Sequence, residues 1–363
     1  MQDPFVRFSA YQNSVARTCD VLRTQGAPDI EALLLHPSGS TSKGAESTPA
    51  AWAEATGLGW ECLTFVHGVA VAAVLRSLNL TCDCALGYGI GEITAAVVAG
   101  ALPLEDATHI LLARGKVLAA ASSDDLRILT VPAEVALSNE LPEGVCVYAV
   151  LSPKAAILLG RREGLTLFAK THNLPGARPV AVGAVKALAT FGAIASLGEE
   201  AEEEMANMCA YVSPATHLQC PLASTRSGQA QDPSNLTSRH WWRSMTATAR
   251  VSEAAEHLAA AGNGNIAGMI ECGPAALSVK HLRGLAALAG AKAHAHGLVQ
   301  KGDNAVGDSL FRTLADFYTA GINIKWRSLH GARPRFLQAM PRYPLTRVAC
   351  WADFSSSAAA EQS

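Results

Sequence analysis

Apolar positions recur at helical spacing through the first 125 residues, and from Leu126 the period shortens to that of strands. Val15 to Leu35 carries apolar residues on a helical repeat. Trp52 to Leu78 does so again, with a broad face made by Phe65, Val69, Val71, Val74 and Leu75. Between them, His36 to Pro49 (HPSGSTSKGAESTP) reads as a loop of Ser, Gly and Pro. A short apolar segment ending at Leu86 then enters a glycine-rich turn, and a helix of small residues, Ile93 to Gly100, leaves it. Leu104 to Ala121 follows as an amphipathic helix started by Asp106 or a residue just before it.

Beyond Leu126 the pattern predicts a strand at Leu126–Pro132, a helix at Ala133–Asn139, and strands at Val145–Leu151 and Ala155–Leu159 turned by Ser152-Pro153. A helix at Gly164–Thr171 and a last strand at Arg178–Val185 complete a β-α-β-β-α-β order, a ferredoxin-like unit inserted into a larger domain. After it come a helix from Leu188 to Cys209 with a solvated acidic run at Glu199–Glu204, a helix at Ser252–Ala261, and a short strand at Ala267–Glu271. Leu310–Ala320 is the last clear helix. Pro334 to Trp351, rich in Pro and Arg, is expected to wrap over a surface, and Phe354 to Ser363 to fray.

Composition narrows the function classes. The chain has 363 residues, 49% apolar and 17% charged, with a net charge of -2, which suits two or three packed units and argues against disorder. That charge gives no reason to expect nucleic acid or an anionic membrane as partner. Phe65–Leu75, the longest nearly continuous apolar run, is too short to span a bilayer, and no basic and apolar leader opens the chain, so a soluble, cytoplasmic protein is expected. The nine cysteines, an odd number thinly spread, read as reduced and buried thiols. Cys82-Asp83-Cys84 has the wrong spacing for a redox or zinc pair. His294 and His296 share a strand face without a third ligand, so neither a metal site nor any cofactor is expected. His67, on an apolar helix face, reads as a hydrogen-bonded core residue.

The most informative stretch is ALGYGIGEITAAVVAGALPLEDA, Ala85–Ala107. A strand enters a turn with glycines at 87, 89 and 91, and a helix of small residues leaves it. That is the sequence geometry of a nucleophile elbow, in which glycines relieve crowding while the middle residue is thrust into the pocket. Here the middle residue is Gly89, which offers no attacking atom.

Gly87-Tyr88-Gly89-Ile90-Gly91-Glu92 resembles the GHSxGE motif of the acyltransferase (malonyl-CoA:acyl-carrier-protein transacylase) domains of polyketide and fatty acid synthases. The similarity extends upstream through Phe65–Leu80 and downstream through Val98–Leu118. It continues through Pro221–Thr225, His240-Trp241-Trp242 and Glu271-Cys272-Gly273-Pro274. Leu310–Trp326, Pro341-Arg342-Tyr343-Pro344 and Trp351 resemble the linker that follows these domains in modular synthases. The resemblance implies an α/β fold: an α/β-hydrolase-like large subdomain with a parallel sheet (1–125 and 187–300), a ferredoxin-like subdomain (126–186) and a C-terminal wrapping linker (301–363).

Carried over residue by residue, the resemblance implies a vacated nucleophile position at Gly89 and a vacated base position at Lys186 or Val185, since Val182–Leu188 contains no histidine. Met1–Phe5 aligns just after the family's first strand and G-Q-G turn, so that contributor to the oxyanion hole is expected to be missing. Arg114 follows Gly89 by 25 positions, where the family holds the malonyl carboxylate; a helix arginine covering apolar surface is the other reading. Tyr88 and Ile90 complete the candidate substrate-binding set. Cys272 either lines the cleft or sits in the core.

Loss of nucleophile and base costs several orders of magnitude in rate. The expectation is therefore a catalytically impaired acyltransferase domain with a structural or docking role, its partners an acyl carrier protein, a ketosynthase or other synthase domains. The alternative is an active acyl-CoA or acyl-carrier-protein transferase or hydrolase, working by an unorthodox mechanism with Arg114. A module that holds a malonyl or other acyl thioester without turnover is a third reading.

Overall fold

The computed structural model describes residues 4–27, 29–35, 57–120, 126–181, 198–213, 215, 217–261, 268–273, 284, 294–298 and 306–329. The expected helical run from Val15 to Leu35 is broken in two. Helix α1 (Ser9–Thr24) buries Tyr11, Val15, Cys19 and Leu22 and stops at Gly26, whose φ of 79° lies in the left-handed region. There the Gly26 N–H donates to the Arg23 carbonyl and the Ala27 N–H to the Leu22 carbonyl, a closure that ends a helix whatever its apolar spacing. A separate short helix, α2 (Glu31–Leu35), follows.

Helix α3 (Gly57–Ser77) is the centre of the main core, with Cys62, Phe65, Val66, Ala70, Val71 and Val74 all fully buried. It is apolar almost all round because it is covered almost all round. Its apolar stretch is longer than Phe65–Leu75: Leu58–Ser77 has the length and composition to cross a bilayer, but 61% of its most apolar window is buried inside the protein, so the core accounts for it. Helices α4 (Ile90–Val98) and α5 (Leu104–Ala120) pack against α3. Glu105 and Asp106 occupy the first turn of α5, where negative charge faces the positive helix end.

His67, on α3, accepts or donates a 2.9 Å hydrogen bond with the Tyr11 hydroxyl, and burial pushes its pKa down to about 4. Its neutral form is the one the fold holds. Between about pH 6.5 and 4 the unfolded chain therefore binds a proton that the folded chain does not, and stability falls as pH falls through that window. At about 1.4 kcal/mol per unit the loss amounts to roughly 3 kcal/mol. Thermal midpoints measured from pH 7 to 4 should drop less steeply for His67→Gln than for the wild type.

Parallel strands carry the elbow. Strand β1 (Ala85–Gly87) pairs in parallel with β6 (Leu222–Ser224), and β7 (Gln229–Ala230) adds antiparallel to β6. A second parallel pair joins β9 (Gly268–Glu271) to β10 (His294–Gly297). Helices α9 (Ser238–Thr246) and α10 (Val251–Ala261) follow β7, and Trp241 on α9 is among the largest fully buried side chains.

The segment from β2 (Leu126–Val131) to β5 (Val180–Ala181) has its own core. In order it contains β2, helix α6 (Ala133–Ser138), β3 (Val145–Ser152), β4 (Ala155–Arg161), helix α7 (Arg162–Thr171) and β5. The sheet order β5-β2-β4-β3, with antiparallel neighbours, is ferredoxin-like. Leu129, Val131, Leu158, Leu165 and Phe168 are buried between this sheet and its helices. The sequence pattern did not predict the fifth strand, β8 (Ala249–Arg250), which pairs in parallel with β3 and ties the insert to the large subdomain.

Helix α8 (Gly198–Met208) carries the acidic run, and helix α11 (Val306–Thr319) is the last before residue 329. Residues 182–197 and 330–363 fall outside the described residues, and with them the expected strand end at Val185, the helix start at Leu188 and the wrapping tail.

Candidate functional site

Strand β1 delivers the chain into the tight turn that starts α4. The Gly91 N–H donates to the Tyr88 carbonyl at 3.0 Å and the Glu92 N–H to the Gly89 carbonyl at 3.1 Å. Gly89 stands at the apex with φ 59° and ψ −124°, a backbone conformation that L side chains rarely adopt. Gly87 has a different reason to be glycine: a Cβ there would lie 2.0 Å from the Gly91 carbonyl oxygen, because strand and helix touch. A Cβ on Gly89 would meet only the Tyr148 hydroxyl, at 3.9 Å. The elbow thus keeps its conformation and the room for a side chain, and presents no side chain. Ile90 begins α4, so its N–H is one of the first-turn donors that the helix itself cannot pair.

Tyr148, reaching over from β3 of the insert, meets Tyr88 edge to face with ring centroids 5.8 Å apart. Burial, with Tyr148 adding to it, pushes the Tyr88 phenol well above its ordinary pKa. Burial likewise pushes Tyr148 up to about 12, against the pull of the nearby Arg114. Both phenols are neutral at physiological pH, and neither serves as a base there.

Arg114, on α5, meets Glu61, on α3. Its Nε donates to Glu61 Oε1 at 2.7 Å, and the two side chains are 6% and 0% exposed. The guanidinium therefore holds a carboxylate belonging to the chain itself. Burial pushes the Glu61 pKa up, while Arg114 pulls it down by charge and hydrogen bonding. The contact is single, not forked: Arg114 Nη1 and Glu61 Oε2 are buried without a hydrogen-bond partner.

Behind the elbow lies a second buried polar group. Ser224 Oγ, opposite Gly87 in the β1–β6 register, donates to Glu92 Oε1 at 2.8 Å and accepts from the Arg226 N–H at 3.1 Å. His240 Nε2 stands 3.3 Å from the same Glu92 oxygen, and Arg226 Nε donates to His240 Nδ1 at 3.4 Å. Ser224, Glu92 and His240 are each 3% exposed or less. The arrangement contains Ser, Glu and His, but the carboxylate sits between the other two. The serine hydroxyl is thus turned to Glu92 and not to the imidazole of His240, as a Ser-His pair would require. These residues pin α4 to β6 and α9 and so hold the turn.

The structure brings Gly89, Tyr88 and Arg114 into one neighbourhood, linked by Tyr148. Lys186 and Val185 lie outside the described residues. Cys272 packs against the main core at intermediate exposure, with its pKa pushed up to about 12 by burial. His296 Nε2 lies 3.2 Å from Asp316 Oδ2, and no group of three or more metal-ligating side chains occurs among the described residues. A surface groove of about 440 Å³ runs along Glu200, Glu203, Glu204, Asn207 and Met208, and among the described residues its lining comes from α8 alone.

Sequence reasoning missed Glu61 and Tyr148. Glu61 did carry a signal, as the one acid in an apolar stretch otherwise free of charge until Arg76. Tyr148 carried none, since a strand tyrosine is unremarkable until the insert is docked on the elbow.

A family model for the acyl transferase domain matches residues 61–323. Naringenin synthase of Pestalotiopsis fici is 26% identical over 301 residues, which span 82% of this chain and 10% of that protein. The chain thus spans about a tenth of the length of the curated relatives it matches. Among solved structures, the acyl transferase domain of ZmaA superposes with a TM-score of 0.72 at 18% identity, covering 92% of this chain and 74% of that one. A malonyl transacylase solved with a type II polyketide-synthase acyl-carrier protein superposes with a TM-score of 0.58 at 17% identity, covering 84% and 92%. At such identities the superpositions speak for the fold, and the family match speaks for descent. With well over half of its length matched, the chain belongs to the acyl transferase domain family.

Proposed function

We propose that this domain retains the acyltransferase fold without transacylation chemistry and acts as a structural or docking element of a cytoplasmic polyketide-synthase-like assembly. The observation that carries the reading is Gly89: the strained elbow is intact, a side chain would fit, and no nucleophilic atom is there. Arg114 supports it, because its charge is already balanced by the buried Glu61 carboxylate of the chain itself. The neighbouring groups do not replace the missing serine, since both phenols are held neutral and Ser224 is fully buried on Glu92.

In this proposal residues 1–125 and 187–300 form the acyltransferase-like core, 126–186 the insert and 301–363 a linker. The insert and linker would pack against a ketosynthase or another synthase domain, and the surface would receive a carrier protein. The test is turnover. Incubated with malonyl-CoA and a holo acyl carrier protein, the chain should load the carrier no faster than buffer does, and Gly89→Ser should add little because no histidine stands at Val185 or Lys186. Transfer that the wild type catalyses above the rate in buffer would overturn the proposal in favour of an active transferase.

A further inference from the structure

The turn before β1 and the residue before Pro221 bring together two cysteines that are 138 positions apart in sequence. The Cys82 and Cys220 sulfurs lie 3.8 Å from each other. Their segments are held in place, because the Ala85 N–H donates to the Pro221 carbonyl at 2.9 Å and Ala85 registers with Leu222. Cys82 is exposed whereas Cys220 is only 6% exposed, so an oxidant reaches one thiol and the second stands behind it. Contact between the two thiols lowers the Cys220 pKa against the effect of burial and, together with burial, raises that of Cys82, so the geometry and the exposure of Cys82, not its acidity, mark the pair. Two further thiols feel the charge on Cys82: Cys84, pushed up to about 11 by burial, and Cys272, pushed up to about 12. Nothing in the acyltransferase reading uses Cys82 and Cys220, which precede the N-terminal ends of β1 and β6, opposite the elbow.

We infer that Cys82 and Cys220 form a redox dithiol that closes reversibly to an intramolecular disulfide when a peroxide is the oxidant. In the first step the Cys82 sulfur attacks the peroxide, the O–O bond breaks, and one water leaves a sulfenic acid on Cys82. The Cys220 sulfur then attacks the Cys82 sulfur, the S–O bond breaks, and the departing oxygen takes the thiol proton to leave as a second water. Two thiols and one peroxide become one disulfide and two waters. To form the bond the sulfurs must approach from 3.8 Å to about 2.0 Å. Once closed, the bond staples β1 to β6 across a long loop and restricts the unfolded chain.

The experiment oxidises the whole chain with hydrogen peroxide at one equivalent and counts free thiols. Two of the nine thiols should disappear and return with dithiothreitol, and a non-reducing digest should show the peptides of Cys82 and Cys220 joined. Cys82→Ser, at an exposed position and with its fold checked by circular dichroism, should lose no thiol pair. A wild type that keeps all its thiols, a loss that persists in Cys82→Ser, or a crosslink from Cys82 to any other cysteine would each overturn the assignment. All of these readouts are independent of acyl transfer, so an active transferase would leave this result untouched.

Discussion

Replacing Arg114 by alanine is expected to destabilise the domain by about 3–5 kcal/mol, since it strands a fully buried carboxylate without its cation. In that variant Glu61 would escape by taking up a proton. Its pKa is already pushed up by burial, and removing Arg114 removes what pulls it down. The sign follows from linkage. Below the ordinary carboxylate range both states carry the proton and nothing is lost. As pH rises through that range the unfolded chain releases its proton while the folded chain keeps it, so the stability of Arg114→Ala should fall with rising pH. Exchanging both partners for apolar residues, Glu61→Leu with Arg114→Met, should cost far less than Arg114→Ala alone, because no charge is left buried. Urea unfolding of Glu61→Leu, Arg114→Met and the variant that carries both closes a mutant cycle. A large coupling energy is the expected outcome.

Gly87→Ala is expected to be as damaging for a steric reason. The new methyl would lie 2.0 Å from the Gly91 oxygen, 2.3 Å from the Gly91 carbonyl carbon and 2.4 Å from Glu92 Cα, all backbone, so β1 and α4 would have to separate. Overpacking of this kind costs about 3 kcal/mol or more where the neighbour cannot rotate away. Gly91→Ala supplies the contrast: nothing lies within 4 Å of its added methyl, and alanine favours the helix it enters. Soluble yield and urea midpoint should collapse for the first substitution and stay near wild type for the second.

How far the sequence foretold these features depends on the range of the interaction. The glycines at 87, 89 and 91 were legible because a sharp strand-to-helix turn is a local event with a fixed spacing. The insert was legible for the same reason, since strand alternation and turn residues repeat within a few positions. The break at Gly26 was passed over, because apolar spacing continues across it while the backbone does not. Glu61 and Arg114 are 53 positions apart on different helices, and only the packing of α3 against α5 makes them partners. Read alone, Arg114 suggested either a ligand for an outside carboxylate or a cover for apolar surface. The structure supplies a carboxylate from within. Tyr148 shows the same limit, since its place over Gly89 depends on docking the insert on the elbow.

The proposed absence of transacylation chemistry at the Gly89 elbow is open to direct observation. The most direct measurement is the intact mass of the wild-type chain after prolonged incubation with malonyl-CoA, with a seryl malonyl transacylase as positive control. The control should gain one malonyl group, while this chain should keep its unmodified mass. A stoichiometric acyl adduct, mapped to any residue of the cleft around Gly89, would show that another nucleophile has taken over and would contradict the account.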